Sequence, residues 1–240
     1  YGDFNIGKTL RDTEDARKET ADWIGTEKQR LNEKMAKECD TIVAGLYEYL
    51  AIYEPLFPKK TEFIPFPIVC DDDTPTIEFH KDGEPIKIFI GINKSRSAYK
   101  GTDIMLKAAK EVESKYPDKL KLTVVESVPF DEYRKMMMSC DAIVDQLYSY
   151  TPSMNPLEAM SHGLICIGGG EPENYEVLNE TELRPIVNVE PTFKSVYSQI
   201  ENMVLHPENI STMQRQSIEY IRKHHDYIKV AKQYEKLYMK

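Results

Sequence analysis

Lys94, Arg96 and Lys100 crowd into seven residues of the segment GINKSRSAYKGTD, between an apolar run and a helical pattern. Cations just ahead of a helix are locally unfavourable, because that end of the helix presents positive partial charge. The crowding makes sense if a pyrophosphate sits among the cations and is also held by helix amides. The competing reading is a solvated basic loop. A second segment, MNPLEAMSHG, places Asn155 as a helix N-cap, Pro156 at the first helical position and Glu158 two residues further on. Glu158 there either completes a capping box with Asn155 or accepts hydrogen bonds from two ribose hydroxyls, and one residue can do both. A third segment, GGGEPE, runs from Gly168 to Glu173 after an apolar run. Its glycines permit close backbone approach to a ligand, or simply a tight turn.

Other polar residues carry less. Asp71, Asp72 and Asp73 could hold a cation bridging a diphosphate. Pro65, Pro67 and Pro75 flank them, which favours a solvated acidic linker. His80, His162, His224 and His225 share no ligand spacing and read as surface or packing histidines. The four cysteines share no motif spacing and read as reduced, mostly buried thiols of a cytoplasmic protein, so zinc is not expected.

These segments need elements to position them. The runs IKIFIGI, LKLTVVE, AIVDQL, LICIGG and PIVNV alternate with helical patterns. In the segment from Thr102 to Tyr116, Met105, Ala108, Ala109, Val112 and Tyr116 fall on one face. Such alternation predicts a parallel sheet covered by helices on both faces, with ligands bound beyond the carboxyl ends of the strands. Ahead of it, a charged helical stretch runs from about Arg11 to Cys39, with Trp23, Ile24, Leu31 and Met35 as a sparse apolar stripe. Short apolar pieces, DTIVAGL and TEFIPFPIV, enclose a Tyr-rich helix from Tyr47 to Tyr53. The last residues, from Pro207, read as two helices with a break near His224–Asp226. The opening YGDFNIGKT reads as entering within an element, as an excised piece would.

The net charge of −9 over 240 residues argues against duplex nucleic acid, which needs a basic face. It leaves room for a small anion, since local charge decides that binding. No apolar run reaches the length of a membrane span.

Taken in order, GINKSRSAYKG, DAIVDQLYSY, NPLEAMSHG and GGEPE resemble the C-terminal domain of the retaining, two-Rossmann-domain (GT-B) glycosyltransferases of family 4, glycosyl transferases group 1. The resemblance spans about Ile86 to Tyr234, with Thr41 to Pro67 similar to the end of the family's first domain. It implies an α/β, Rossmann-like donor-binding domain over 86–222, preceded by a helical remnant of the acceptor-side domain over 1–67 and a linker over 68–85, and closed by a C-terminal helix over 223–240. It implies that Lys100, with Lys94 or Arg96, holds the donor diphosphate and that Glu158 binds the ribose. The Ser153, Met154 and Asn155 turn would face the phosphate or sugar. Tyr150 stands where the family carries a sugar-contacting Glu, and Ser127 and Val128 fall in the base-contacting loop. The segment VPFDEYRKMMMSC replaces the additional strand and helix usual there.

The implied activity is retaining transfer of a hexosyl group from a nucleoside-diphosphate sugar to a glycan or lipid-linked acceptor in polysaccharide biosynthesis, without metal or cofactor. Peripheral membrane association would come through the acceptor-side domain. About 70 residues precede the linker, too few for a full Rossmann domain, so this chain alone is expected to be inactive. The alternatives are a non-catalytic sugar-nucleotide-binding module and a sugar-nucleotide epimerase.

Overall fold

The computed structural model describes residues 25–71, 73 and 76–239. The beginning of the charged helical stretch, Trp23 and Ile24 included, lies outside the described residues, as do Asp72 and Pro75. The described part of that stretch forms α1 (Glu27–Glu38), capped by the Thr26 hydroxyl. Leu31 and Met35 face outward and Ala36 is the buried residue, so the expected stripe is not the packed face. β1 (Ile42–Ala44), α2 (Tyr47–Leu56) and β2 (Thr61–Phe63) follow, and the two strands pair in parallel.

The main sheet has five parallel strands: β3 (Ile86–Ile92), β4 (Leu120–Glu126), β5 (Ala142–Val144), β6 (Ile165–Gly168) and β7 (Val187–Asn188). Their order is β4-β3-β5-β6-β7. The inner strands β5 and β6 are buried on both faces, as βαβ crossovers require, while the edge strand β4 leaves Lys121, Val124 and Glu126 exposed. On one face Ile86, Ile88, Ile90, Val144 and Ile167 meet Met105, Ala108, Ala109 and Val112 of α4 (Thr102–Lys115) and Val196 and Ile200 of α8 (Phe193–Leu205). On the other, Phe89, Val125 and Ile143 meet Met137 of α5 (Phe130–Met137) and Ala159 of α6 (Met154–Ser161). β4 passes directly through α5 into β5, as the short connection between them predicts.

The chain closes with α9 (Ile210–His224) and α10 (Tyr227–Tyr238), broken where the sequence places the break. Asp226 caps α10 by accepting from the Ile228 and Lys229 amides. Ile68 ties the linker to this break, donating to the His225 carbonyl at 2.6 Å and accepting from the Tyr227 amide at 3.0 Å. Nearby, Glu180 is buried, yet its carboxyl lies well below the usual range. Burial opposes the ionisation, and the Lys223 ammonium (2.7 Å), the His224 imidazole (2.5 Å) and the Leu183 and Glu182 amides outweigh it. The His225 imidazole is pushed down to about 4, chiefly by burial, although its Nδ1 reaches the Phe66 carbonyl at 2.9 Å.

Candidate functional site

The strand order reverses at β3: β4 lies on one side of it, and β5, β6 and β7 run off on the other. Between β3 and β5 the loops leave in opposite directions and open a crevice at the carboxyl ends, where sheets of this kind receive ligands. The Lys94–Gly101 loop leaves β3 there, and the strap from Asp145 to Ser153 leaves β5 there.

Within the first loop, Lys94 to Arg96 form a short 3-10 turn, with the Asn93 side chain accepting from the Ser95 amide at 3.1 Å and its hydroxyl at 2.7 Å. Lys94 forms an ion pair with Glu126 at the end of β4. That contact gives Lys94 a partner within the chain, so its charge does not by itself require an anion. Arg96 is exposed. Lys100 ends the four-residue helix α3 (Ser97–Lys100) and directly precedes Gly101, the N-cap of α4. Gly101 has φ +70°, and a Cβ there would lie 2.7 Å from the Leu147 Cβ. The Lys100 carbonyl accepts from the Leu147 amide at 2.8 Å, so the Lys-Gly turn is locked onto the strap.

The strap begins with Asp145, which is buried and has Oδ2 unpartnered. Burial pushes its carboxyl up to about 6, against the pull of the Lys100 ammonium and of hydrogen bonds from Ser153. Ser153 is the N-cap of α6, and its hydroxyl lies 3.4 Å from Asp145 Oδ1. This corrects the expected cap: Met154 is the first helical residue, Asn155 the second and Pro156 the third, so Glu158 lies in the second turn. The capping box does not form. Asn155 donates to the Tyr133 hydroxyl at 2.9 Å, and Tyr133 stands edge-on to Phe89 with ring centroids 4.8 Å apart. Glu158 Oε1 instead pairs with Arg134 Nε at 3.3 Å, while Arg134 Nη2 donates to His162 Nε2 at 3.3 Å. Met154, Glu158, Arg134 and Phe130 line one wall of a cleft of about 600 Å³, and Val69, Asp71 and Asp73 of the linker line the other. Ser127, at the end of β4, adopts φ +55°, an uncommon conformation for a residue with a Cβ.

The glycine turn, which leads into α7 (Pro172–Glu176), has a packing reason of its own. A Cβ at Gly169 would sit 2.1 Å from the Ser149 carbonyl oxygen and 2.9 Å from the Tyr150 carbonyl carbon. The close approach at Gly169 is to the strap's own backbone. From the opposite side the strap is held by α2. Glu48 accepts hydrogen bonds from the Ser149 hydroxyl (2.7 Å), the Tyr150 amide (2.7 Å), the Thr151 amide (3.1 Å) and the Thr151 hydroxyl. Tyr150, buried, lays its ring against Tyr47 at 5.4 Å. Burial and the charges of Glu173 and Glu171 push the Tyr150 phenol up to about 12, so it is a neutral hydroxyl near neutral pH. Glu48, Tyr133, Arg134 and Asp145 are the residues that sequence reasoning missed. Only Asp145 left a local signal, as an acid ending an apolar strand pattern.

Lys100 and Ser153 thus meet through Asp145, with Met154, Asn155 and Glu158 following along α6, whereas Tyr150 turns to Tyr47, Lys94 turns to Glu126 and Arg96 is exposed. Among the described residues no group of three or more His, Cys, Asp and Glu side chains could hold a metal ion, and no helix is long and apolar enough to cross a membrane.

No family model and no curated protein sequence matches the chain. Solved structures do resemble it. TarM superposes with TM-score 0.63 at 13% identity, over 88% of this chain and 46% of that one. Sucrose-phosphate synthase from Thermosynechococcus elongatus gives 0.62 at 14%, over 100% and 66%. Anabaena HepE in complex with UDP and glucose gives 0.63 at 11%, over 88% and 66%. The chain thus spans between about half and two thirds of these structures' length. The architecture it shares with the matching part of these structures is a parallel five-stranded sheet flanked by helices, the Rossmann-like fold of a GT-B domain.

Proposed function

We propose that the chain binds a nucleoside-diphosphate sugar, with uridine as the first base to test, and supplies the donor half of a glycosyl transfer. The observation that carries the reading is that the Lys100 ammonium and Ser153, the N-cap of α6, both bear on the buried Asp145 carboxyl at the sheet's switch point. A diphosphate there is met by the Lys100 ammonium and by the Met154 and Asn155 amides of the first turn of α6, Pro156 having no N–H to offer. Glu158, one turn further along, has one carboxylate oxygen on Arg134 and a second to offer a ribose hydroxyl. Structural neighbours support the choice of probe, since HepE was solved with UDP-glucose and a pneumococcal O-GlcNAc transferase with UDP and GlcNAc.

In this reading the protein positions the donor and stabilises the departing diphosphate, and Lys100 with Arg96 or Lys94 neutralises its charge. The acceptor is a glycan or lipid-linked sugar, the transferred group a hexose, and the configuration is retained. Turnover requires the acceptor-side domain, so the 240-residue chain binds donor without transferring it. Calorimetric titration with UDP, UDP-glucose and GDP tests the site. Lys100→Ala combined with Glu158→Ala is expected to weaken UDP by at least about a hundredfold, the worth of two or more charged hydrogen bonds. Equal affinity in the parent and the double variant would refute the site. A second reading, a sugar-nucleotide-binding module without turnover in any context, is favoured by the buried Tyr150 in place of a carboxylate. Donor hydrolysis or transfer by a longer chain that restores upstream sequence would rule it out.

A further inference from the structure

Asp145 follows β5 at the sheet's switch point and is more than nine-tenths buried. Its amide donates to the Ile167 carbonyl at 3.0 Å, and a Cβ on Gly168 would lie 3.3 Å from its own, so the sheet pins the residue in place. One carboxyl oxygen, Oδ1, takes the Ser153 hydroxyl at 3.4 Å. The other, Oδ2, is buried with no hydrogen-bond partner. A buried carboxylate normally collects donors on both oxygens. Left bare, the ionised form is costly to bury and the protonated form much less so.

Each neighbouring element brings its own group to bear on this carboxyl. Lys100 of α3 attracts the ionised form, and Glu48 of α2 repels it. Tyr133 of α5 and Cys166 of β6 feel the Asp145 charge as well, but burial raises both, so neither titrates near neutral pH. From α6 the Ser153 hydroxyl and amide face it, while Glu158 turns to Arg134. Lys100 and the start of α6 therefore do two things: they favour ionised Asp145, and they are what a diphosphate takes for itself. We propose that the donor enters together with a proton: as the diphosphate takes over the Lys100 ammonium and the α6 amides, the Asp145 carboxylate loses its counter-charge, gains a like-charged neighbour and takes up one proton from solvent on Oδ2. This rests on the nucleotide-sugar reading above. No bond of the donor is made or broken in the step. Asp145 acts on binding through Lys100 and Ser153, and so sets how donor affinity depends on pH.

The test is calorimetric titration of the 240-residue protein with UDP-glucose, in pairs of buffers that differ in ionisation enthalpy, so that the heat reports the protons taken up. UDP-glucose is the probe because its diphosphate is esterified at both ends and does not titrate near neutral pH, whereas the terminal phosphate of UDP does. In the free protein the Asp145 carboxyl, pushed up to about 6, is roughly nine-tenths ionised at pH 7. Uptake of about 0.5–0.9 proton per donor is expected there, with affinity falling about tenfold or more as pH rises from about 5.5 to about 7.5. Asp145→Asn keeps the shape and cannot ionise. It is expected to abolish the uptake, to flatten the pH profile, and to bind at pH 7.5 within about threefold of the parent at pH 5.5. The proton count of the parent alone keeps the proposal open to refutation if the variant folds poorly. Binding with no proton uptake and a flat profile overturns the proposal and leaves the nucleotide site standing. So does an uptake that persists unchanged in Asp145→Asn. If UDP-glucose fails to bind the parent at every pH, the functional reading falls and this inference falls with it.

Discussion

Replacing Gly169 with alanine tests whether the strap is held as tightly as its geometry demands. The added methyl would lie 2.1 Å from the Ser149 oxygen, 2.7 Å from the Ser149 carbonyl carbon and 2.9 Å from the Tyr150 carbonyl carbon, all backbone atoms. A carbon–oxygen contact normally stops near about 3.3 Å, so the strap must shift by roughly 1 Å. It cannot shift freely, because a movement of that size carries the Ser149 and Tyr150 donors, each 2.7 Å from Glu48, beyond hydrogen-bond reach. Overpacking costs about 1–3 kcal/mol and a weakened bond to a charged group about 1.5–3 kcal/mol. Roughly 4 kcal/mol in all corresponds to a fall in Tm of about 8–16 °C for a chain of this size. Gly168 supplies the control one residue away. Its Cβ would find Asp145 Cβ at 3.3 Å and the Gln146 oxygen at 3.4 Å, contacts that small adjustments relieve. Differential scanning calorimetry of the two variants should separate them clearly, with Gly168→Ala within about 1 kcal/mol of the parent. A Gly169→Ala protein that melts within about 2 °C of the parent, or a Gly168→Ala protein that falls as far, would refute the reasoning.

Asp145 should trade stability for its place in the crevice. Its native carboxyl, pushed up to about 6 from a usual 3.8, binds its proton more tightly than the unfolded chain does. Stability is therefore lost as pH rises from about 3.8 to about 6, by about 3 kcal/mol on an order-of-magnitude basis. Asp145→Asn should raise Tm at pH 7.5 and give no gain at pH 3.5, as read by calorimetry at both values. His225 works in the opposite sense. Its folded value of about 4 lies below the usual 6.5, so the unfolded chain takes up the proton first and stability falls as pH drops from about 6.5 to about 4. Urea titrations across that window should lose about 3 kcal/mol, and His225→Gln should flatten the slope. A slope unchanged by that substitution would place the acid sensitivity elsewhere.

Much of the fold is legible in the sequence because its signals are local. Each of the five strands announces itself as an apolar run, and the helical stripe Met105, Ala108, Ala109 and Val112 is buried as its spacing demands. The break between α9 and α10 is marked by Asp226, whose side chain caps the second helix. Where local reasoning failed, a distant partner had changed the local choice. Asn155 is well suited to cap a helix, yet the Tyr133 hydroxyl, 22 positions away, takes its amide, and the helix starts earlier at Ser153. Leu31 and Met35 follow a helical stripe, but the surface they face is open solvent.

The site shows the same division at higher stakes. Lys100 and Gly101 can be found from sequence because a cation beside a left-handed glycine ahead of a helix is a local conflict that asks for an explanation. Glu48 cannot be found that way. An acid in the first turn of α2 already has a sufficient local reason, since it complements the helix dipole, and nothing nearby signals a further role. Its partners lie 101 to 103 positions away, and they come within reach only when β5 ends at Val144 and the strap folds back over the glycine turn. Residues whose local role is already satisfied are therefore where a second, long-range role hides most completely. For this chain the consequence is concrete. The strap beside the crevice is held by two segments of sequence that never meet in the linear pattern, so a truncation that removes α2 while keeping the whole five-stranded sheet should retain the fold and lose the preset Ser149–Thr151 turn.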